Sequence, residues 1–466
     1  MNAAARSIMA ICQYCFGANT QKIVFRLFFV VVICCYWLSA NIASAIDNFP
    51  RPDFRGYVRP ELPSSPPRGV PWEMLDAWML LVFLLLAVWL TAVRRSRAGL
   101  LATAVASVGY FGFLRRGCVC AVGSIQNISL GLADPTYVVP WSIVWIFCLP
   151  LLFSLFFGRV FCGGVCPLGA VQELTNVWPI RVPRWLDRGL TCIPWIFLAL
   201  TIVYAATGTA FLTCSYDPFV TIFRGMQGPV TIVVFAVSLL VVGLFVARPY
   251  CRYLCPYGTL LGMCAKIAKS PVRITGLPCH ECQLCATVCP VDAILPPTAE
   301  ISEAERRHSK RWLLISLLLL PLWISAGVLS GRLVANSLAD RHPTIQLLRL
   351  ATLQQDGQLP DLEKLPEIDQ LRLEALAKHG TTTHELMDIS MQISKSYGVT
   401  STWCGALIGL VFGGKLIGLS LRRRRTGYTP APSECVACGR CFRYCTEGKP
   451  CDPEVHLLEN GRGIGV

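Results

Sequence analysis

Charged residues are scarce in this chain. Only 15% of its 466 residues are Asp, Glu, Lys or Arg, against about 25% in an average soluble domain. A single water-soluble domain is excluded, because so few charges cannot cover its surface. Histidine is scarcer still, with six residues and none inside the apolar segments delimited below. That argues against a haem b held by two histidines between spans. No Gly-rich dinucleotide or phosphate loop follows a strand pattern, so chemistry driven by NAD or ATP needs another subunit. Acidic residues are outnumbered 28 to 42, for a net charge of +14. The Lys and Arg excess sits in short runs beside apolar segments, the pattern of membrane topology, and no nucleic-acid partner is expected.

What the chain has in abundance is apolar sequence, at 54% hydrophobic residues and a mean hydropathy of +0.52. The expectation is an all-α polytopic transmembrane helical bundle. Residues 1–45 read as a signal peptide or a first transmembrane anchor: Arg6, Lys22 and Arg26 precede or enter an apolar run that ends before Ala43-Ser44-Ala45. Residues 46–76 read as a Pro- and Arg-rich periplasmic linker. Seven spans follow, near 77–93, 98–114, 137–157, 189–208, 229–247, 312–330 and 403–421. Each is long enough to cross a core of about 30 Å with some thinning. Strict alternation gathers Arg94-Arg95-Arg97, Arg181/Arg184/Arg188, Arg248/Arg252, Arg306-Arg307/Lys310-Arg311 and Arg422–Arg425 on one side, which the positive-inside rule makes cytoplasmic. Arg115-Arg116 is the exception. Lys415, inside the last span, is expected to snorkel toward the adjacent Arg run. Between the last two spans, residues 331–402 read as a periplasmic domain of amphipathic helices, and their His342, His379 and His384 lack any metal-ligand spacing.

Cysteine is the chemistry-bearing residue, with 24 in the chain. Within a cytoplasmic motif at 271–300, Cys279, Cys282, Cys285 and Cys289-Pro290 have the C-x2-C-x2-C-x3-C-P spacing whose thiolates wrap a [4Fe–4S] cube, the fourth often serving a second cluster. A second copy within 430–466 has Cys435, Cys438, Cys441 and Cys445, with Thr446 in place of Pro and Cys451 nearby as an alternative fourth ligand. Both fall on the inner side. The expectation is therefore a cytoplasmic ferredoxin-like (α+β) module with two 4Fe-4S clusters, split in sequence. Within the bundle at 77–270 stands a matched pair, Cys162-x3-Cys166-Pro167 and Cys251-x3-Cys255-Pro256. Each follows a span, with an Arg three residues before it (Arg159, Arg248) and a Gly two after its Pro. On a helix, x3 spacing puts both sulfurs on one face. These four thiols serve a third cluster, or a quinone site. On the outer side, Cys118 and Cys120 form a dithiol or soft-metal pair. Cys214 and the remaining cysteines lack spacing and read as apolar fillers.

Together, the paired C-x3-C-P motifs and the ferredoxin runs resemble the NosR/NapH group of membrane iron–sulfur proteins, over roughly 75–295 and 430–455. Gly117-Cys118-Val119-Cys120, Ser124-Ile125-Gln126-Asn127 and Tyr216-Asp217-Pro218-Phe219 are similar to segments of that group. In that group NosR supports nitrous-oxide reductase and NapH oxidises quinol for periplasmic nitrate reductase. The resemblance implies an electron-transfer component rather than a complete enzyme, taking electrons from a quinol or a cytoplasmic donor to a periplasmic redox partner. The short 46–72 linker does not match the flavin-binding domain of NosR, so neither flavin nor haem nor NAD is expected in this chain. The rival expectation is an assembly or maturation factor that reduces a metal or thiol through Cys118 and Cys120.

Overall fold

The computed structural model describes residues 70–117, 119–225, 229–274, 283–298, 303–357, 369–370, 373, 383–420, 425 and 427–443. The expectations for residues 1–69, Cys118, Cys279, Cys282, His379, Cys445 and Cys451 lie outside the described residues.

Helices dominate because the apolar runs can satisfy their backbone only internally once in lipid. In chain order they are α1 (Val70–Ala92), α2 (Arg97–Ser107), α3 (Ala121–Ala133), α4 (Trp141–Phe157), α5 (Val160–Gly164), α6 (Pro167–Thr175), α7 (Arg184–Leu190), α8 (Ile193–Ala206), α9 (Leu212–Tyr216), α10 (Pro218–Phe223), α11 (Val230–Phe245), α12 (Pro249–Tyr253), α13 (Pro256–Lys266), α14 (Leu284–Val288), α15 (Glu303–Leu318), α16 (Leu320–Ala339), α17 (Pro343–Gln355) and α18 (Thr383–Ser420). A π-helical stretch, Val108–Leu114, continues α2. Five apolar helices are long enough to cross a membrane: Trp72–Ala92, Arg97–Leu114, Arg184–Ala206, Arg307–Ala339 and Thr383–Gly418. Trp141–Phe157 and Val230–Phe245 are shorter apolar helices. All seven fall where spans were expected, and the protein is a multi-pass membrane protein. Trp78, Leu85, Leu318 and Trp403 stay exposed on these helices, as lipid-facing side chains do.

One expectation changes in detail. The segment 331–402 does not start afresh at its boundaries, since α16 carries the chain to Ala339 and α18 runs unbroken from Thr383. Glycine explains that hairpin. A Cβ on Gly331 would lie 2.9 Å from the carbonyl carbon of Ser401, one on Gly405 3.0 Å from that of Gly327, and one on Gly409 2.9 Å from that of Trp323. The Gly-x3-Gly ridges at 327/331 and 405/409/413 thus let two backbones touch, the usual way that helices bind in lipid. Lys415 Nζ donates to Thr191 O at 3.0 Å and Oγ1 at 3.2 Å, three residues past Arg188, tying α18 to the start of α8.

The exception among the basic runs has a local cause. Arg115 is ion-paired with Asp76 of α1, which is 4% exposed and also accepts from the Tyr110 hydroxyl at 3.0 Å. Its charge is thus neutralised within the bundle and does not count toward sidedness. His342 caps α17, its Nδ1 accepting from Thr344 N at 3.2 Å, and His384 pairs with Asp388 at 3.4 Å; both are used locally.

Candidate functional site

The two C-x3-C-P segments fold alike and face each other. Neither is one continuous helix. The residue before a proline avoids the α region, so Cys166 (φ −69°, ψ 118°) and Cys255 (φ −67°, ψ 111°) are extended and start new helices, α6 and α13, with Pro at the first position. The first cysteines, Cys162 and Cys251, lie in the preceding one-turn helices α5 and α12. The chain after α6 donates from Trp178 and Ile180 to Leu244 and Phe245 at the end of α11. The chain after α13 reciprocates, Lys269 and Ser270 donating to Leu155 and Phe156 at the end of α4. Each repeat's glycine also packs on the other repeat's arginine: a Cβ on Gly169 would sit 3.3 Å from Arg248 Nη1, and one on Gly258 3.2 Å from Arg159 Nη2. The result is a pseudo-twofold unit with Cys162, Cys251 and Cys255 buried and Cys166 nearly so.

Around these sulfurs stand oriented donors. Gly258 N–H donates to Cys255 Sγ at 3.3 Å, and Gln172 Nε2 donates to Cys251 Sγ at 3.3 Å while its Oε1 accepts Tyr250 N–H at 3.0 Å. Arg159 reaches Cys162 Sγ at 3.8 Å, and its Nε is buried with no hydrogen-bond partner. Two buried guanidinium groups stand beside the four thiols, where they would offset the charge of a thiolate-ligated group. That donor set and the orphaned Nε fit a negatively charged, thiolate-ligated group.

The repeats differ at one point of consequence. Where the second has Leu261-Gly262, the first has Gln172-Glu173. The Glu173 carboxylate accepts from Arg248 Nε and Nη2, both at 3.2 Å, and from Arg440 Nε at 2.8 Å, with Arg97 at 3.9 Å. Arg440 lies between Cys438 and Cys441, so this carboxylate fastens the C-terminal cysteine motif onto the bundle. Arg159 Nη1 adds a bond to Ser433 O at 3.1 Å. Gly163, inside Cys162-x3-Cys166, is where the two motifs touch; a Cβ there would lie 2.7 Å from Ala437 O. Gly163→Val is therefore expected to push the Cys435–Cys441 segment off the bundle. Protease susceptibility near residue 430 checks it, with Gly189→Val, in open space, as the neutral control.

The two ferredoxin-type motifs also meet. Strands β1 (Ile294–Leu295) and β2 (Thr429–Pro430) pair antiparallel, Ile294 opposite Pro430. One cavity is lined by Cys289, Cys435, Cys438 and Cys441 together with Pro290, Val291, Ala293 and Val436. The fourth cysteine of the first motif thus joins the first three of the second, the exchange known from two-cluster ferredoxins. Left-handed residues recur in register, Gln283 (φ 62°) after Cys282 and Gly439 (φ 73°) after Cys438, with Ala437 (φ 53°) beside it. Such turns aim successive N–H groups into one concavity. Among the described residues, no three His, Cys, Asp or Glu side chains converge on a single ion. Thiols spread around a cavity are what a cube with iron at separate corners requires, so these residues fit a [4Fe–4S] group. Burial pushes the Cys435 thiol up to about 12 and Cys438 to about 11, so iron must displace their protons to bind.

Near Tyr250 lies a second group of thiols. Cys120 precedes α3, and Cys214 Sγ accepts from Gln126 Nε2 at 3.1 Å. Cys214 is therefore no mere filler. Sequence spacing assigned no role to Gln126, Gln172, Glu173 or Cys214; amides in apolar segments, and the Glu173/Gly262 difference between the two repeats, are the signals that point to three of them.

Comparison with known proteins returns the same two repeats. A 4Fe-4S binding domain family matches residues 139–185 and 227–275. The chain is similar to protein NirI of Paracoccus denitrificans, 35% identical over 44% of this chain and 32% of that protein. It is similar to the regulatory protein NosR of Pseudomonas aeruginosa, 33% identical over 44% of this chain and 30% of NosR. The ferredoxin-type protein NapH of Haemophilus influenzae is 28% identical over 31% of this chain and 52% of NapH. The chain thus spans about a third of the length of the first two relatives. No solved structure matches significantly.

Proposed function

We propose, from the premise that this chain carries a NosR/NapH-type membrane iron–sulfur unit, that it is a membrane electron-transfer protein. It passes electrons between a quinol or a cytoplasmic donor and a redox partner, a periplasmic one on this reading. The membrane is the bacterial inner membrane, with the ferredoxin-type motifs on the cytoplasmic side; the one-sided basic runs and the Arg115–Asp76 pair support this. The observation that carries the reading is the buried Glu173 contact. It joins Arg248, three residues before Cys251, to Arg440, beside Cys438 and Cys441. Two candidate cofactor sites are thereby held against each other.

Within this reading Cys435, Cys438, Cys441 and Cys289 hold one cluster. Cys279, Cys282 and Cys285, with Cys445 or Cys451, hold the second. Cys162, Cys166, Cys251 and Cys255 hold a third cluster or frame a quinone. When bound, such clusters supply one-electron transfer at potentials set by charge, burial and N–H···S bonds. The chain's own part is to orient and dry the site. Gln172 and Gly258 donate to sulfur, Arg159 and Arg248 offset negative charge, and Tyr250 and Tyr257 exclude water.

Iron and acid-labile sulfide per chain, on protein purified anaerobically, test this. About eight irons mean two ferredoxin-type cubes, and about twelve add a third at the C-x3-C-P pair. Absence of sulfide sinks the reading.

A second reading, an assembly or maturation factor that reduces a metal or thiol, is favoured by the thiols around Cys120. Unchanged electron delivery to the partner in a Cys118→Ser/Cys120→Ser variant removes it.

A further inference from the structure

Gln172 does something unusual for a buried amide. It gives its N–H to the sulfur of Cys251 and takes the N–H of the peptide just before that cysteine. Gln126 repeats the device atom for atom. Its Nε2 donates to Cys214 Sγ at 3.1 Å, and its Oε1 accepts the N–H of Thr213 at 2.9 Å. Both glutamines are fully buried, at 0% exposure. A second device recurs as well. Cys255 starts a helix and receives the N–H of Gly258, three residues on. Cys120 starts α3 in the same extended conformation, and the N–H groups of Val122 and Gly123 face its sulfur. Gly123 holds the two halves together: a Cβ there would lie 3.2 Å from Cys214 Sγ and 3.8 Å from Cys120 Cβ.

The two settings are neighbours. Tyr250, adjacent to Cys251, interacts electrostatically with Cys255 and Cys251 and also with Asp217 and Cys120, and its ring meets Phe219 edge-on at 5.4 Å. Asp217, 3% exposed, holds its carboxylate beside Cys120 with backbone N–H groups of Phe219 and Val220 as its donors.

We infer that Cys120 and Cys214 are the thiolate pair of a second binding site, for a soft monovalent cation of the copper(I) class. Two sulfurs and at most one carboxylate form a low-coordinate, soft and negative donor set. Copper(I) takes such a set, whereas magnesium and calcium need six or more oxygens. Carboxamide N–H bonds to the sulfurs orient and tune ligands of this kind. The backbone N–H groups at the start of α3 are aimed at the Cys120 sulfur, and the cation must displace its proton on binding. Asp217, the N-cap of α10, places a carboxylate beside these sulfurs. The site rests on its own geometry and stands whether or not the C-x3-C-P thiols hold a cluster.

The test uses the full chain in mild detergent, clusters assembled, and copper(I) titrated against a bathocuproine competitor. One copper(I) per chain is expected in the wild type. Binding falls at least 100-fold in Cys120→Ser and in Cys214→Ser, about 10-fold in Gln126→Leu, and not at all in Cys148→Ser. Iron content serves as the folding control. Should a Ser variant lose iron, protection of Cys120 and Cys214 from alkylation by copper(I) in the wild-type chain decides. Wild-type binding that survives Cys214→Ser overturns the site. So does a Cys120–Cys214 disulfide that, once reduced, takes up no copper(I), because that marks a redox dithiol.

Discussion

Glu173→Gln is expected to detach the C-terminal cysteine motif from the bundle and to lower the stability of the whole chain. The substitution keeps size and shape but removes the carboxylate shared by Arg248 and Arg440. Arg248 is 1% exposed and cannot turn to solvent. Breaking one partner of a buried ion pair costs ~3–5 kcal/mol, mostly as an uncompensated charge. Thermal unfolding in detergent should fall by several degrees, and proteolysis should cut near residue 430. Electron exchange between the two cysteine sites should be lost. Glu173→Gln/Arg440→Gln should recover part of the stability but none of the docking, because it removes one stranded cation and the clamp with it. Wild-type melting and proteolysis in Glu173→Gln would show that the carboxylate does not hold the two parts together.

Gly405→Leu is expected to open the α16–α18 hairpin. Its Cβ would meet Gly327 and lie 3.1 Å from Gly331 Cα, so a larger side chain has backbone, not a flexible side chain, in its way. Overpacking of this kind costs about 1–3 kcal/mol or more. In lipid the close approach itself is the binding force. Gly414 and Gly418, on the same helix, face open space, and Gly414→Leu should melt like the wild type. Equal melting of Gly405→Leu and Gly414→Leu would remove the glycine ridge as the cause.

Reading and structure agree where a local rule decides. The apolar runs gave seven helices at the expected places, since a segment without charges in lipid has only one way to satisfy its backbone. The C-x3-C-P pair announced its pseudo-symmetry through duplication alone. Its detailed shape was also legible: Pro167 and Pro256 forbid a continuous helix, and reading x3 spacing as one helical face overlooked the rule for the residue before proline. The Gly-x3-Gly ridges at 327/331 and 405/409/413 are equally local patterns.

Other features are not local. Glu173 looks like any glutamate near a helix end until Arg440, more than 260 positions away, is brought beside it. Cys214 has no neighbouring cysteine in sequence, and only the packing of α9 against α3 brings it to Gln126. Sequence by itself determined the membrane habit, the spans and the thiol groups, because hydropathy and ligand spacing act over a few residues. Tertiary structure alone decided which thiols share a setting and which charges are cancelled. Coulomb and hydrogen-bond energies depend on distance in space, and the chain's order does not encode that distance.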